Sequence, residues 1–161
     1  MATPEELKDK LWESLRAQRT LMLALAGVQE AHARPMTAMF EHDGPPLWFF
    51  TSTDNALTRA QADQQRAVAT FAAKGHDLFA TLHGRLVLEA DRSVVDRLWN
   101  RFVAAWYEGK DDPRLALLRF DPDSAEIWLN DASLFTGARI LLGEDPHKTY
   151  AGKVASVRLQ S

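Results

Sequence analysis

Apolar residues recur along this chain in two periods, and the switches between them predict its elements. Leu7, Leu11 and Leu15 stand four residues apart, the spacing of one helix face. Just ahead, Thr3-Pro4-Glu5-Glu6 supplies a cap, a proline at the first helical position and a glutamate able to close a capping box. From Leu21 the period falls to two. Leu21, Leu23 and Leu25 alternate with Met22, Ala24 and Ala26, apolar on both faces, which predicts a central buried strand.

Arg34 to Glu41 predicts a second strand, His42-Asp43-Gly44-Pro45-Pro46 a turn, and Leu47 to Thr51 an aromatic-rich returning strand. Thr53 or Asp54 can cap a short helix reaching Gln64. Ala67 to Ala73 returns to strand, and a turn at Lys74-Gly75-His76-Asp77 leads into a long strand, Leu78 to Glu89, bent or bulged at Gly84. Ser93 with Asp96 resembles a helix cap, and Val95, Leu98, Trp99, Phe102 and Trp106 keep helical spacing until Gly109 to Pro113 breaks it. Leu115 to Phe120 and Ala125 to Leu129 read as two strands separated by Asp121-Pro122-Asp123-Ser124. Phe135 to Leu142 fits helix or strand, and Lys153 to Leu159 a last strand or a tail. Strands joined mostly by hairpins fit an antiparallel barrel better than a parallel sheet, which needs crossover helices.

Composition narrows the function classes. The 161 residues suffice for one domain with a real core, and 46% apolar with 25% charged residues is ordinary for a globular protein. A net charge of -3 with scattered basic residues argues against a nucleic-acid binder. With no cysteine there is no thiolate nucleophile and no cysteine metal site. Neither a membrane-length apolar run nor a signal-peptide core is evident, so no membrane partner and a cytoplasmic location are the expectation.

Candidate chemistry concentrates between Arg34 and Asn55. A guanidinium at Arg34, at the start of a strand, can hold a phosphate bidentately, or its stem can simply cover apolar surface. Thr51, Ser52 and Thr53 precede a helix and can cradle an anion; plain capping explains them equally well. Trp48, Phe49 and Phe50 offer stacking surface, although strand alternation sends at least one to the core. Trp99, Phe102 and Trp106 have the spacing of a buried helix face, and Trp128 fits either role. The five histidines show no metal-ligand spacing, and no side chain reads as a nucleophile, general acid or general base. No catalytic or metal residue is therefore assigned.

Arg34-Pro35-Met36, the Trp48-Phe49-Phe50-Thr51 strand, Leu98-Trp99 and Ala105-Trp106-Tyr107-Glu108-Gly109 together resemble the general stress protein 26 group. Leu115-Ala116-Leu117-Leu118-Arg119-Phe120 and Ala125-Glu126-Ile127-Trp128 extend the likeness over roughly residues 5 to 142, most of the chain. That group belongs to the pyridoxamine 5′-phosphate oxidase-like, FMN-binding split-barrel superfamily. The resemblance implies a mainly β (α+β) fold: an antiparallel split β-barrel of Greek-key type with flanking helices. It would be a single flavin-binding domain over residues 1 to 161, with the tail from about 143 unassigned.

It further implies a homodimer with FMN in a cleft at the subunit interface. Arg34, Pro35 and Met36 would line the flavin and approach its phosphate, and Phe50, Thr51 and Ser52 would meet its ring edge or ribityl chain. Trp106 or Trp128 would close the cleft from the partner subunit. FAD, deazaflavin F420 and heme are the less favoured cofactors. One departure matters: after the Phe-Phe-Thr strand the family carries Ser-x-Lys, whereas Asn55, Ala56 and Leu57 stand here. Leu57 cannot donate to a phosphate; Arg59 or Arg66 would have to substitute. Met39 also replaces a lysine of the oxidase proper, which argues against vitamin B6 oxidase activity. The reading is a flavin-binding stress protein, with a flavin-dependent oxidoreductase left open. The alternative is a flavin-free stress or interaction protein with a degenerate cleft.

Overall fold

The computed structural model describes residues 3–29, 31–60, 65–129 and 154–159. Helix α1 (Pro4–Ala17) opens as its sequence predicts, with the Thr3 side chain accepting from the Glu6 N–H and the Glu6 side chain returning to the Thr3 N–H. Seven strands follow among the described residues: β1 (Thr20–Leu25), β2 (Arg34–Thr37), β3 (Leu47–Ser52), β4 (Arg66–Ala72), β5 (Leu78–Leu88), β6 (Leu115–Leu129) and β7 (Val154–Arg158). They form one antiparallel sheet in the order β2-β1-β4-β5-β6-β3, with β7 on β6. The consecutive run β4-β5-β6 with β3 returned beside β6 is a Greek key.

β6 is long enough to serve two neighbours in turn. Leu115 to Phe120 pair with β3, and Ser124 to Trp128 pair with β7. The sheet curls until its ends approach, but among the described residues the β2 and β3 sides meet at a single bridge, where Met39 and Trp48 exchange 2.8 Å hydrogen bonds. The barrel is split there.

The core follows strand alternation. Leu21, Leu23 and Leu25 of β1, Ala69 and Phe71 of β4, Leu82 and Leu86 of β5 and Phe49 of β3 face the interior, with Leu11 and Leu15 of α1 beside them. β1 does lie inside the sheet, between β2 and β4, yet only one face is sealed, and Met22 remains 40% exposed. Residues 121 to 124 do not separate two strands. His83 pairs with Ser124 and Gly84 with Pro122, so one extra residue sits in β6 as a bulge. The bulge shifts the inward parity, letting Leu118 and Phe120, then Ala125 and Ile127, all enter the core.

Among the described residues three short helices lie outside the sheet. Asn55, not Thr53 or Asp54, caps α2 (Ala56–Arg59) by accepting from the Leu57 N–H at 2.9 Å. Asp91, not Ser93, caps α3 (Arg92–Leu98). The helix expected to continue through Trp106 stops at Trp99, and Asn100 recaps a separate turn, α4 (Arg101–Ala104). Val94, Val95 and Leu98 of α3 pack on Trp48 and Leu117, so β3 is covered on both faces. The tail segment from 154 is a strand, whereas the expectation for Phe135 to Leu142 lies outside the described residues.

Candidate functional site

Beside the split lies a cavity of about 860 Å³, inside the range of small-molecule and cofactor sites. One wall comes from Pro35, Met36 and Thr37 of β2 and from Met39 just beyond it; a second comes from Phe50, Thr51 and Ser52 at the end of β3. Both walls exist because β2 and β3 diverge on either side of the Met39–Trp48 bridge. Phe50 is braced from behind by Trp99, edge-on with centroids 6.2 Å apart. Asn100, Phe102, Val103, Trp106 and Tyr107 supply a third wall from α4 and the turn after it.

Phe102 and Trp106 were expected in a buried helix face; they are 76% and 80% exposed. The break at Asn100 is the reason, since it turns the second half of the spacing away from α3. Tyr107 also lines the cavity, and burial pushes its phenol above the ordinary value, with the Asp112 carboxylate adding to the shift. It is a protonated donor at neutral pH.

The charged residues lining the cavity, among those described, are Arg19 and Arg114. Arg19 packs over the Phe40 ring, 5.6 Å from its centroid. Arg114 is held by Asp112, whose carboxylate is 1% exposed and accepts from Arg114 Nη2 at 2.8 Å and Nε at 3.2 Å. The same carboxylate accepts the backbone N–H groups of Arg114 and Glu108, each at 2.9 Å. The Arg114 guanidinium and these N–H groups hold the Asp112 carboxyl far below the usual carboxylate range. Asp112 therefore fixes the loop that carries Tyr107 and Arg114.

The sequence candidates divide. Pro35, Met36, Phe50, Thr51 and Ser52 meet at the cavity. Arg34, Asn55 and Trp128 are not part of its lining. Arg34 starts β2 with its Nε buried and without a hydrogen-bond partner. Asn55 is occupied with capping α2. Trp128 stands on the far half of β6, opposite Phe79. The Ser52 hydroxyl bonds to the Asp54 carboxylate, and the Ser52 carbonyl accepts from the Asn55 N–H and the Thr58 hydroxyl, each at 3.0 Å. Local turn-making thus accounts for much of that polar cluster. Leu57, where the resemblance implies a lysine, is fully buried in the core. Arg66 pairs with Asp123 at 2.6 Å, and neither Arg66 nor Arg59 reaches the lining.

A curled antiparallel sheet, open along one seam and holding a ligand-sized cavity beside it, defines a split-barrel protein. Solved structures agree. A general stress family protein from Xanthomonas campestris pv. campestris is 59% identical, covering 83% of this chain and 94% of its own, with a TM-score of 0.77. The general stress FMN/FAD binding protein from Xanthomonas citri is 56% identical over 81% of this chain and 93% of its own, with a TM-score of 0.76. General stress protein 26 of Bacillus subtilis (strain 168) is 24% identical over 128 residues, 76% of this chain and 89% of that protein. The profile of the family described as "Pyridoxamine 5′-phosphate oxidase like" matches residues 6–144, and the chain belongs to that family.

Proposed function

We propose that this protein binds FMN in the cavity beside the barrel seam. The observation that carries the reading is the cavity itself. It joins the Pro35-Met36 and Phe50-Thr51-Ser52 segments, from two strands that do not pair along their length, into one site of about 860 Å³. Met36, Phe50 and Trp106 offer apolar and aromatic surface for a planar ring, while Thr51, Ser52 and Tyr107 offer hydroxyls for its polar edge and chain. The 56% identity to a protein described as FMN/FAD binding supports the same class of ligand.

A bound flavin would supply one- or two-electron redox chemistry, and an oxidoreductase is the reaction class we attach to the site. The chain's own part is to seat the ring, exclude water with the Phe102 and Trp106 lip, and keep a donating hydroxyl at Tyr107. The same exposed aromatic lip supports a homodimer in which a second subunit covers the cleft.

Titration of apo-protein with FMN and riboflavin, followed by flavin fluorescence, tests the function; the mass in solution by light scattering tests the pairing. Saturable uptake is expected, with Trp106→Ala weakening both flavins about tenfold, the equivalent of roughly 1.4 kcal/mol of stacking. Because Trp106 is so exposed, its removal should change stability by no more than about 0.5 kcal/mol. No saturable uptake of either flavin would favour the flavin-free reading instead.

A further inference from the structure

We propose that Arg114, aimed by Asp112 and assisted by Arg19, binds the anionic end of the ligand; this assignment rests on the flavin-binding reading above. The ligand class it selects is a phosphomonoester over the same ring system without phosphate.

Asp112 grips the guanidinium side-on, through Nε and Nη2. A guanidinium has five N–H donors, so that grip leaves both hydrogens of Nη1 and one of Nη2. Those three form the end-on fork suited to two phosphate oxygens. Arg114 keeps a side chain 62% exposed, so the fork is open to an incoming anion. Asp112 has its charge turned inwards: its carboxylate is 1% exposed and its oxygens are occupied by four N–H donors. It orients the arginine without presenting a free acceptor to the cavity.

The formal charge of that pair is zero, so a second cation has to carry the net attraction. Arg19 does so. It lines the same cavity and makes no ion pair with a carboxylate among the described residues. Among the described residues its side chain lies over the Phe40 ring, a contact that leaves its N–H donors available. The opposing charges to weigh are Glu108, which acts on Arg114 from the same loop, and Asp54, which also feels Arg114 but whose carboxylate is engaged by the Ser52 hydroxyl. Among the described residues no acidic residue belongs to the lining itself. The lysine missing at Leu57 is therefore replaced from elsewhere, from the loop before β6 and the residue before β1, and not from α2.

A pre-oriented guanidinium has little ordering entropy left to lose on binding, which makes Asp112 a positioning residue. Removing it should loosen Arg114 directly and the Tyr107 loop less so, and the loss should fall more heavily on FMN than on riboflavin.

The test compares FMN and riboflavin affinities of the full chain with those of Arg114→Gln, Arg19→Gln and Asp112→Asn, with inorganic phosphate as a competitor. Wild-type protein should prefer FMN, and phosphate should compete with FMN and not with riboflavin. Arg114→Gln should weaken FMN about tenfold to a hundredfold with riboflavin nearly unchanged, the loss typical of a charge-assisted contact. Arg19→Gln should act in the same direction and flatten the salt dependence of FMN binding. Asp112→Asn should shift the FMN-to-riboflavin ratio, a quantity that general loosening of the fold would leave alone. Equal affinity of wild-type protein for both flavins, or equal losses for both in Arg114→Gln, would overturn the assignment while leaving flavin binding intact. Uptake of neither flavin by wild-type protein would overturn both.

Discussion

Leu57 separates two accounts of this site, because the family resemblance implies a phosphate-binding position there and the structure puts it in the core. Its side chain is fully buried among the main cluster, on a helix of four residues. Leu57→Ala would remove that packing and leave a void, a change that costs about 2–5 kcal/mol for buried leucines. Because α2 is short and can settle into part of the space, we expect about 3 kcal/mol, or a fall in Tm of about 6–12 °C at 2–4 °C per kcal/mol for a chain of this size. Leu57→Lys should do worse. It loses the same packing and must bury an ammonium or release its proton; driving the pKa from about 10.4 to near 7 adds roughly 4–5 kcal/mol. The sum approaches the whole stability of an ordinary domain, about 5–15 kcal/mol. Leu57→Met, which nearly conserves volume, should cost less than about 1.5 kcal/mol.

Near-UV circular dichroism melts of the three variants measure these losses, and FMN titration of any folded variant measures the gain a phosphate-facing lysine would bring. If Leu57→Lys folds within about 1 kcal/mol of wild type and binds FMN at least tenfold more tightly, the residue faces the ligand and the burial argument is wrong.

Two further outcomes follow from the same geometry. A Cβ at Gly84 would stand 2.2 Å from the Asp121 carbonyl oxygen and 2.5 Å from the Pro122 Cα, both backbone atoms of the bulge. Gly84→Ala should therefore cost about 1–3 kcal/mol in urea unfolding, and a change under about 0.5 kcal/mol would mean that the two strands do not approach so closely. Asp112 governs acid sensitivity. Its folded-state pKa lies below its unfolded value, near 3.9, so its contribution is complete above about pH 5 and declines as pH falls through that range. The stability difference between wild type and Asp112→Asn should stay constant above about pH 5 and shrink steadily as pH falls below about 4; a difference that stays constant down to pH 3 would show that the depressed pKa is absent.

The strands were legible because their burial follows a simple alternation. Leu21, Leu23 and Leu25 announce β1, and Phe49 between Trp48 and Phe50 announces a strand covered on both sides. What misled was local chemistry whose meaning depends on distant partners. Asp121-Pro122-Asp123-Ser124 has the composition of a turn, yet the missing side chain of Gly84 across the ladder lets β6 absorb an extra residue and run straight through. Trp99, Phe102 and Trp106 keep helical spacing across a break that Asn100 caps, so periodicity alone placed two exposed aromatics in the core. The signal that could have corrected it is Asn100 itself, a strong cap in mid-pattern.

The site was half legible for a related reason. Its walls come from β2 and β3, whose residues carry both strand pattern and family likeness, so Pro35, Met36, Phe50, Thr51 and Ser52 could be named from sequence. Its cations sit outside any strand pattern: Arg19 precedes β1, and Arg114 leads into β6. They become neighbours of the cavity only because the Greek-key path returns β3 to the edge of β6, where the Thr53 N–H meets the Arg114 carbonyl at 2.9 Å. Full pairing of β2 with β3 would have removed the cavity as well as the seam. The single bridge at Met39 and Trp48 therefore does two things at once, holding the barrel's ends together and keeping them far enough apart to admit a ligand.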